Sequence, residues 1–140
     1  MNSRQVLSLL TAAALVFVPP ARAYPQQEVD VLSTISFATA TAGQKNRNGA
    51  EAYCRQAKAT LTSKPEEAYL FAHIERCFGA VAATVGDKQN ACRHYKKALA
   101  IWQRTPPPDD HPQSVASRTQ LRDGMIRYRA TNCGASKAGR

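Results

Sequence analysis

The residues of this chain that could do chemistry are dispersed rather than gathered into motifs. His73, His94 and His111 fall on what read as three separate elements, a distribution that suits surface or helix-end imidazoles. Catalysis needs a nucleophile beside a base, paired carboxylates or an open metal site. The sequence contains no G-x-S-x-G, no H-E-x-x-H and no phosphate-binding glycine loop. Its four cysteines, Cys54, Cys77, Cys92 and Cys133, form neither a C-x-x-C redox pair nor a C-x-x-C-H haem site, and zinc would want closer ligand pairs. An enzyme is therefore not expected, nor a metal or cofactor. Positive charge is the remaining candidate. Arg93, Lys97 and Arg104 line one side of a predicted helix, and Arg118, Arg122 and Arg129 run beside the apolar stripe of another. Guanidinium groups hold carboxylates or phosphates through two parallel hydrogen bonds.

What positions these residues depends on the compartment, which the N-terminus addresses. Arg4 precedes an apolar run from Val6 to Val18, followed by Pro19, Pro20 and the small-residue site Ala21-Arg22-Ala23. That is the three-part pattern of a secretory signal, with cleavage expected after Ala23. The run is shorter than the roughly 20 residues of a spanning helix, and no later segment is apolar for long enough to cross a membrane. The mature chain is expected to be an exported, periplasmic or secreted protein. Cleavage removes Arg4 and Arg22 from a chain of net charge +9, leaving +7, because all ten acidic residues lie downstream. An exported basic protein rarely meets nucleic acid, so its expected counter-charges are an acidic segment of another exported or envelope protein, anionic lipid or envelope polymer. An even cysteine count in a small exported domain reads as two disulfides.

Helix signals are frequent and strand signals nearly absent. Asn48 with Glu51, Ser63 with Glu66 and Asp110 with Gln113 have capping-box spacing, and Asp87 is a further N-cap candidate. Gly43, Gly86 and Gly134 stand where helices should stop. Apolar residues recur at helical intervals in Ala50, Tyr53, Cys54, Ala57 and Leu61, in Phe71, Ile74, Phe78, Val81 and Val85, and in Ala91, Tyr95, Ala98 and Trp102. The sequence thus predicts an all-α domain over 24–133, with about five antiparallel helices near 28–42, 48–62, 64–85, 88–104 and 112–131. Glu66 and Glu67 suit the positive end of the third helix. The prolines of RTPPPDDHP, residues 104–112, favour an extended linker, and residues 134–140 read as a disordered tail.

The segment from about Ala72 to Thr105 resembles a tetratricopeptide repeat, a helix-turn-helix unit of about 34 residues. Gly79, Gly86-Asp87, Ala91, Tyr95 and Ala98 carry the resemblance, whereas Glu75, Ala82 and Gln103 replace the family's tryptophan, tyrosine and closing proline. Four cysteines allow three pairings, between which sequence alone does not choose. In such a stack Cys77 would face back and Cys92 forward, which implies Cys54–Cys77 and Cys92–Cys133. The resemblance also implies a groove lined by first helices, into which His73, Arg76, Ala80, Ala83 and Thr84 would look. Arg76 with His73 would meet an acidic side chain or a chain terminus there. The expected function is an exported binding or adaptor module, with a basic envelope-binding or effector protein acting through its arginine-rich helix faces as the alternative.

Overall fold

Where the sequence predicts five helices, the computed structural model, which describes residues 26–106 and 112–134, has five: α1 (Gln26–Gly43), α2 (Arg47–Ala59), α3 (Leu70–Thr84), α4 (Lys88–Arg104) and α5 (Pro112–Cys133). A single 3-10 turn occupies Pro65–Glu67, and there is no strand among the described residues. Residues 1–25, over which the sequence predicts a secretory signal, most of the proline linker with Asp110 and His111, and the tail beyond Gly134 lie outside the described residues.

The Ser- and Thr-rich first segment is helical because its hydroxyls stop competing with the backbone. Thr34, Ser36 and Thr39 each donate to the carbonyl four residues back, at 2.8, 3.1 and 3.2 Å. That leaves Val31, Ile35, Ala38 and Ala42 as one buried stripe.

The two hairpins turn by the same device. In the first, Lys45 takes the left-handed conformation, the Asn46 amide reaches back to the Thr41 carbonyl, and the Asn46 side chain caps α2 by accepting from the Gly49 amide. In the second, Gly86 takes that conformation, the Asp87 amide reaches the Ala82 carbonyl, and the Asp87 side chain accepts from the Asn90 amide. Two expectations are corrected here. Gly43 stays helical while Lys45 makes the turn, and Asn46 rather than Asn48 is the cap, because the chain leaves the left-handed residue directly into the next helix. Asn46 and Asp87, Ala50 and Ala91, Ala57 and Ala98, and Ala38 and Gly79 stand at one common offset. That offset is longer than the roughly 34 residues of the repeat the second hairpin resembles. Arg47 ties the two turns together, 2.7 Å from Glu51 on its own helix and 2.9 Å from Asp87 on the next hairpin.

The third helix starts at Leu70, later than the sequence predicts. Glu67 acts as a local acceptor, taking the Thr62 amide at 2.8 Å and the Thr62 hydroxyl at 2.7 Å, and this closes a turn ahead of α3, while the Glu66 side chain lies outside those described. Those bonds hold the Glu67 carboxyl below its usual range.

One core, between α1, α2 and α3, joins Val31, Ile35, Ala38, Ala50, Cys54, Ala57, Ile74, Cys77 and Val81; a second, between α3, α4 and α5, joins Ala72, Ala98, Leu99, Trp102 and Met125. Disulfides Cys54–Cys77 and Cys92–Cys133 staple α2 to α3 and α4 to α5. Closing loops of 23 and 41 residues restricts the unfolded chain by about 3 kcal/mol each in the chain-entropy account. Tyr53, which the apolar pattern places inward, instead stacks on Phe37 at the surface, Phe37 with 62% of its area exposed.

The α3–α4 crossing is closest at Gly79, where an added Cβ would lie 3.2 Å from three Tyr95 ring atoms. Gly79→Val is expected to lower unfolding free energy by about 1–3 kcal/mol through overpacking. Gly124→Ala, whose new methyl meets nothing within 4 Å on α5, is expected to raise it by about 0.5–1 kcal/mol. Urea unfolding of the oxidised variants checks both, and equal shifts would refute the packing account.

Candidate binding cleft

The face of α3 that carries Arg76, Ala80, Ala83 and Thr84 opens onto a cleft of about 240 Å³, completed by Ile35 and Thr39 of α1, Tyr95 of α4 and Tyr128 of α5. This is smaller than the roughly 300–1,000 Å³ of pockets for drug-sized ligands. It suits one side chain or chain end. The two tyrosine rings stack with centroids 5.5 Å apart and planes at 13°.

Arg76 gives the cleft its chemistry. Its Nε is buried and has no hydrogen-bond partner, and no ion pair to its guanidinium exists among the described residues. Burial pushes the group below its usual pKa, opposed by the neighbouring Tyr95 and Tyr128, yet a guanidinium stays charged at any physiological pH. Burial, with Tyr128 adding and Arg76 opposing, pushes the Tyr95 hydroxyl up to about 12, so it is neutral. Thr84 donates its hydroxyl to the Ala80 carbonyl at 2.8 Å, and Thr39 donates to Ser36 at 2.9 Å, which leaves only their lone pairs facing outward. A half-buried cation without an ion pair among the described residues, walled by aromatic rings and acceptor oxygens, favours an entering anion that brings a donor or an apolar neighbour with it.

Of the five residues expected to line a groove, Arg76, Ala80, Ala83 and Thr84 do so and His73 does not. His73 is fully buried. Its Nε2 stands 3.8 Å from Glu28 Oε1, and its ring meets Tyr69 and Trp102 edge-on. Glu28, itself buried, accepts the Tyr69 hydroxyl at 2.8 Å. The α3 stripe therefore runs beneath the start of α1 and under Trp102 at this end, and the groove closes. The sequence does not single out Ile35, Thr39, Tyr95 and Tyr128 as lining residues. They come from α1, α4 and α5, and only the packing of those helices beside α3 brings them to the same cleft as Arg76.

Elsewhere several carboxylates of the first half are matched within the fold. Glu75 Oε2 lies 2.7 Å from His94 Nδ1, joining α3 to α4, and the His94 ring stacks on Phe78. The C-terminal half differs. Residues 24–87 hold six lysines and arginines against seven acidic residues, whereas 88–140 hold eleven against three. Arg93, Lys97, Arg104 and Arg129 are exposed and make no ion pair among the described residues, while Arg122 lies 3.3 Å from Asp123. The Arg118 side chain lies outside those described. Among the described residues no group of three His, Cys, Asp or Glu side chains is placed to hold a metal, and no helix is long and apolar enough to cross a membrane. Comparison with protein-family models, curated proteins and solved structures finds no match.

Two outcomes follow from these electrostatics. Arg76→Met should leave stability unchanged or raise it by about 1 kcal/mol, because it removes an uncompensated buried charge; a loss of several kcal/mol in urea unfolding would make Arg76 a structural residue. For Glu75, burial raises the pKa, but the His94 hydrogen bond and charge, with Lys97 and Lys58, outweigh it, so the carboxyl sits below its ordinary value. A depressed carboxyl stabilises the fold above the unfolded pKa and ceases to do so as pH falls through the folded one. Glu75→Gln should therefore lower the urea midpoint at neutral pH, with the gap to the unmodified protein closing below about pH 4. A gap independent of pH would refute this assignment.

Proposed function

We propose that this protein is an exported helical binding module that holds an acidic group of a partner protein in the cleft at Arg76. The observation that carries the proposal is the guanidinium whose Nε is buried without a partner at the floor of an open cleft. Such an arrangement favours a complex, since an entering carboxylate supplies the missing acceptors to a guanidinium that the fold has already partly desolvated. Contact with the cleft involves α1, α3, α4 and α5 together, so binding also favours the stapled arrangement of the hairpins. The secretory pattern at residues 1–23 and the two disulfides are compatible with an oxidising compartment outside the cytosol. The tetratricopeptide-like spacing of the second hairpin supports a protein-binding rather than a catalytic role.

The test is affinity capture by the mature, oxidised protein and by its Arg76→Gln variant from the native compartment, each washed at low and high salt. A protein retained at high salt by the unmodified chain and lost with the variant is the expected result. Recovery of the same proteins by both would overturn the proposal.

A further inference from the structure

The charge of this chain is segregated, and the structure makes the segregation physical. Five acidic groups of the first half are engaged within the fold: Glu51 and Asp87 on Arg47, Glu67 on Thr62, Glu28 on Tyr69, and Glu75 across the helix pair on His94 of α4. In the second half α4 has no acidic residue, and α5 has only Asp123. Arg93, Lys97 and Arg104 recur at helical spacing on the exposed face of α4. On α5 the spacing of Arg122, Ile126 and Arg129 sets an isoleucine between two arginines on one exposed face, with 42% of the Ile126 surface open. The Cys92–Cys133 bridge, with Cα atoms 4.8 Å apart, brings the first turn of α4, where Arg93 follows Cys92, to the last turn of α5, where Arg129 precedes Cys133. Trp102 and Met125 pack in the core between the same two helices. The positive charges are thus displayed on a stapled pair rather than on separately moving segments.

We infer that the exposed face of α5, with the basic face of α4 adding to its field, docks on an anionic phospholipid surface. Clustered arginines meet the phosphates of lipid head groups bidentately, and long-range attraction concentrates the protein at such a surface. Ile126 selects lipid over a soluble polyanion: an apolar side chain between arginines gains by entering the boundary of the acyl region, and gains nothing from a hydrated polymer. Arg76 lies in its own cleft and takes no part, so this docking stands or fails independently of partner capture there.

The experiment is co-flotation of the mature, oxidised protein with vesicles of phosphatidylcholine alone and with about a third phosphatidylglycerol, across about 0.05–0.5 M salt. Inorganic polyphosphate serves as the soluble competitor. Binding to the anionic vesicles only, weakening steeply with salt, is expected. Each of Arg122→Gln and Arg129→Gln should lower the partition coefficient about five-fold, and Ile126→Ser should lower vesicle binding about three- to ten-fold while leaving polyphosphate binding unchanged. Circular dichroism and a thiol count confirm that the variants remain folded and oxidised. Equal binding to neutral vesicles, or no binding to either, overturns the inference. So does vesicle binding indifferent to Ile126→Ser and displaced fully by polyphosphate, which would assign the face to an anionic polymer instead.

Discussion

The closeness of α3 and α4 at Gly79 is the constraint on which the rest of the structure depends. With no side chain at that position, the Tyr95 ring lies against the α3 backbone, within the distance at which even a methyl would crowd it. From there Tyr95 reaches two other features. Its ring stacks on Tyr128 and so helps locate α5, and its edge forms one wall of the cleft beside Arg76. A bulkier residue at position 79 would push α4 outward and, with it, both α5 and the cleft wall. The packing of one glycine is therefore felt at three levels, in the hairpin, in the docking of the last helix and in the site.

A chain so rich in alanine at its crossings buries little area per contact. Ala38, Ala42, Ala50, Ala57, Ala72, Ala82, Ala91 and Ala98 are all buried, and each contributes only a methyl. Small residues bring helices near enough for good dispersion contact, yet the transfer free energy per residue is modest. The two disulfides offset this by limiting the unfolded ensemble rather than by adding core. Cys54–Cys77 lies across the junction of the two hairpins, and Cys92–Cys133 at the free end of α5.

Helix number, order and the two hairpin turns were legible in the sequence because they are local properties, set by periodicity, caps and glycines. Gly86-Asp87 is an example in which every local preference agrees with the fold. The first turn was less legible, since Lys45 adopts a conformation that favours glycine while Gly43, two residues earlier, does not use its freedom. The start of α3 was hidden for a different reason: the turn that delays it rests on the Glu67 carboxylate reaching back five residues to Thr62, which capping-box spacing does not anticipate. In the cleft, Arg76, Ala80, Ala83 and Thr84 are the residues that the resemblance to a repeat hairpin implies on the face of its first helix. The contributions of Ile35, Thr39, Tyr95 and Tyr128 come from three other helices, and no spacing within one segment encodes them. His73 shows the converse. It shares the α3 stripe, but a stripe has no information about where a neighbouring helix will cover it.

How the molecule treats its ionisable groups sets Arg76 apart. Arg47 is shared by two carboxylates, Glu75 meets His94, and the buried Glu28 is engaged by Tyr69 and lies near His73. In each of these cases the partner comes from a different turn or helix, so the pair also records that the fold is correctly assembled. Arg76 follows none of this. It is half-buried with its Nε shielded, yet no ion pair to it exists among the described residues. A chain that pairs Arg47, Glu75 and Glu28 in this way would need only one substitution to pair this one. Natural sequences depart from local consistency mainly where function requires it, and a cation held unmatched beside an open cleft is poised to bind in a way that a paired one is not.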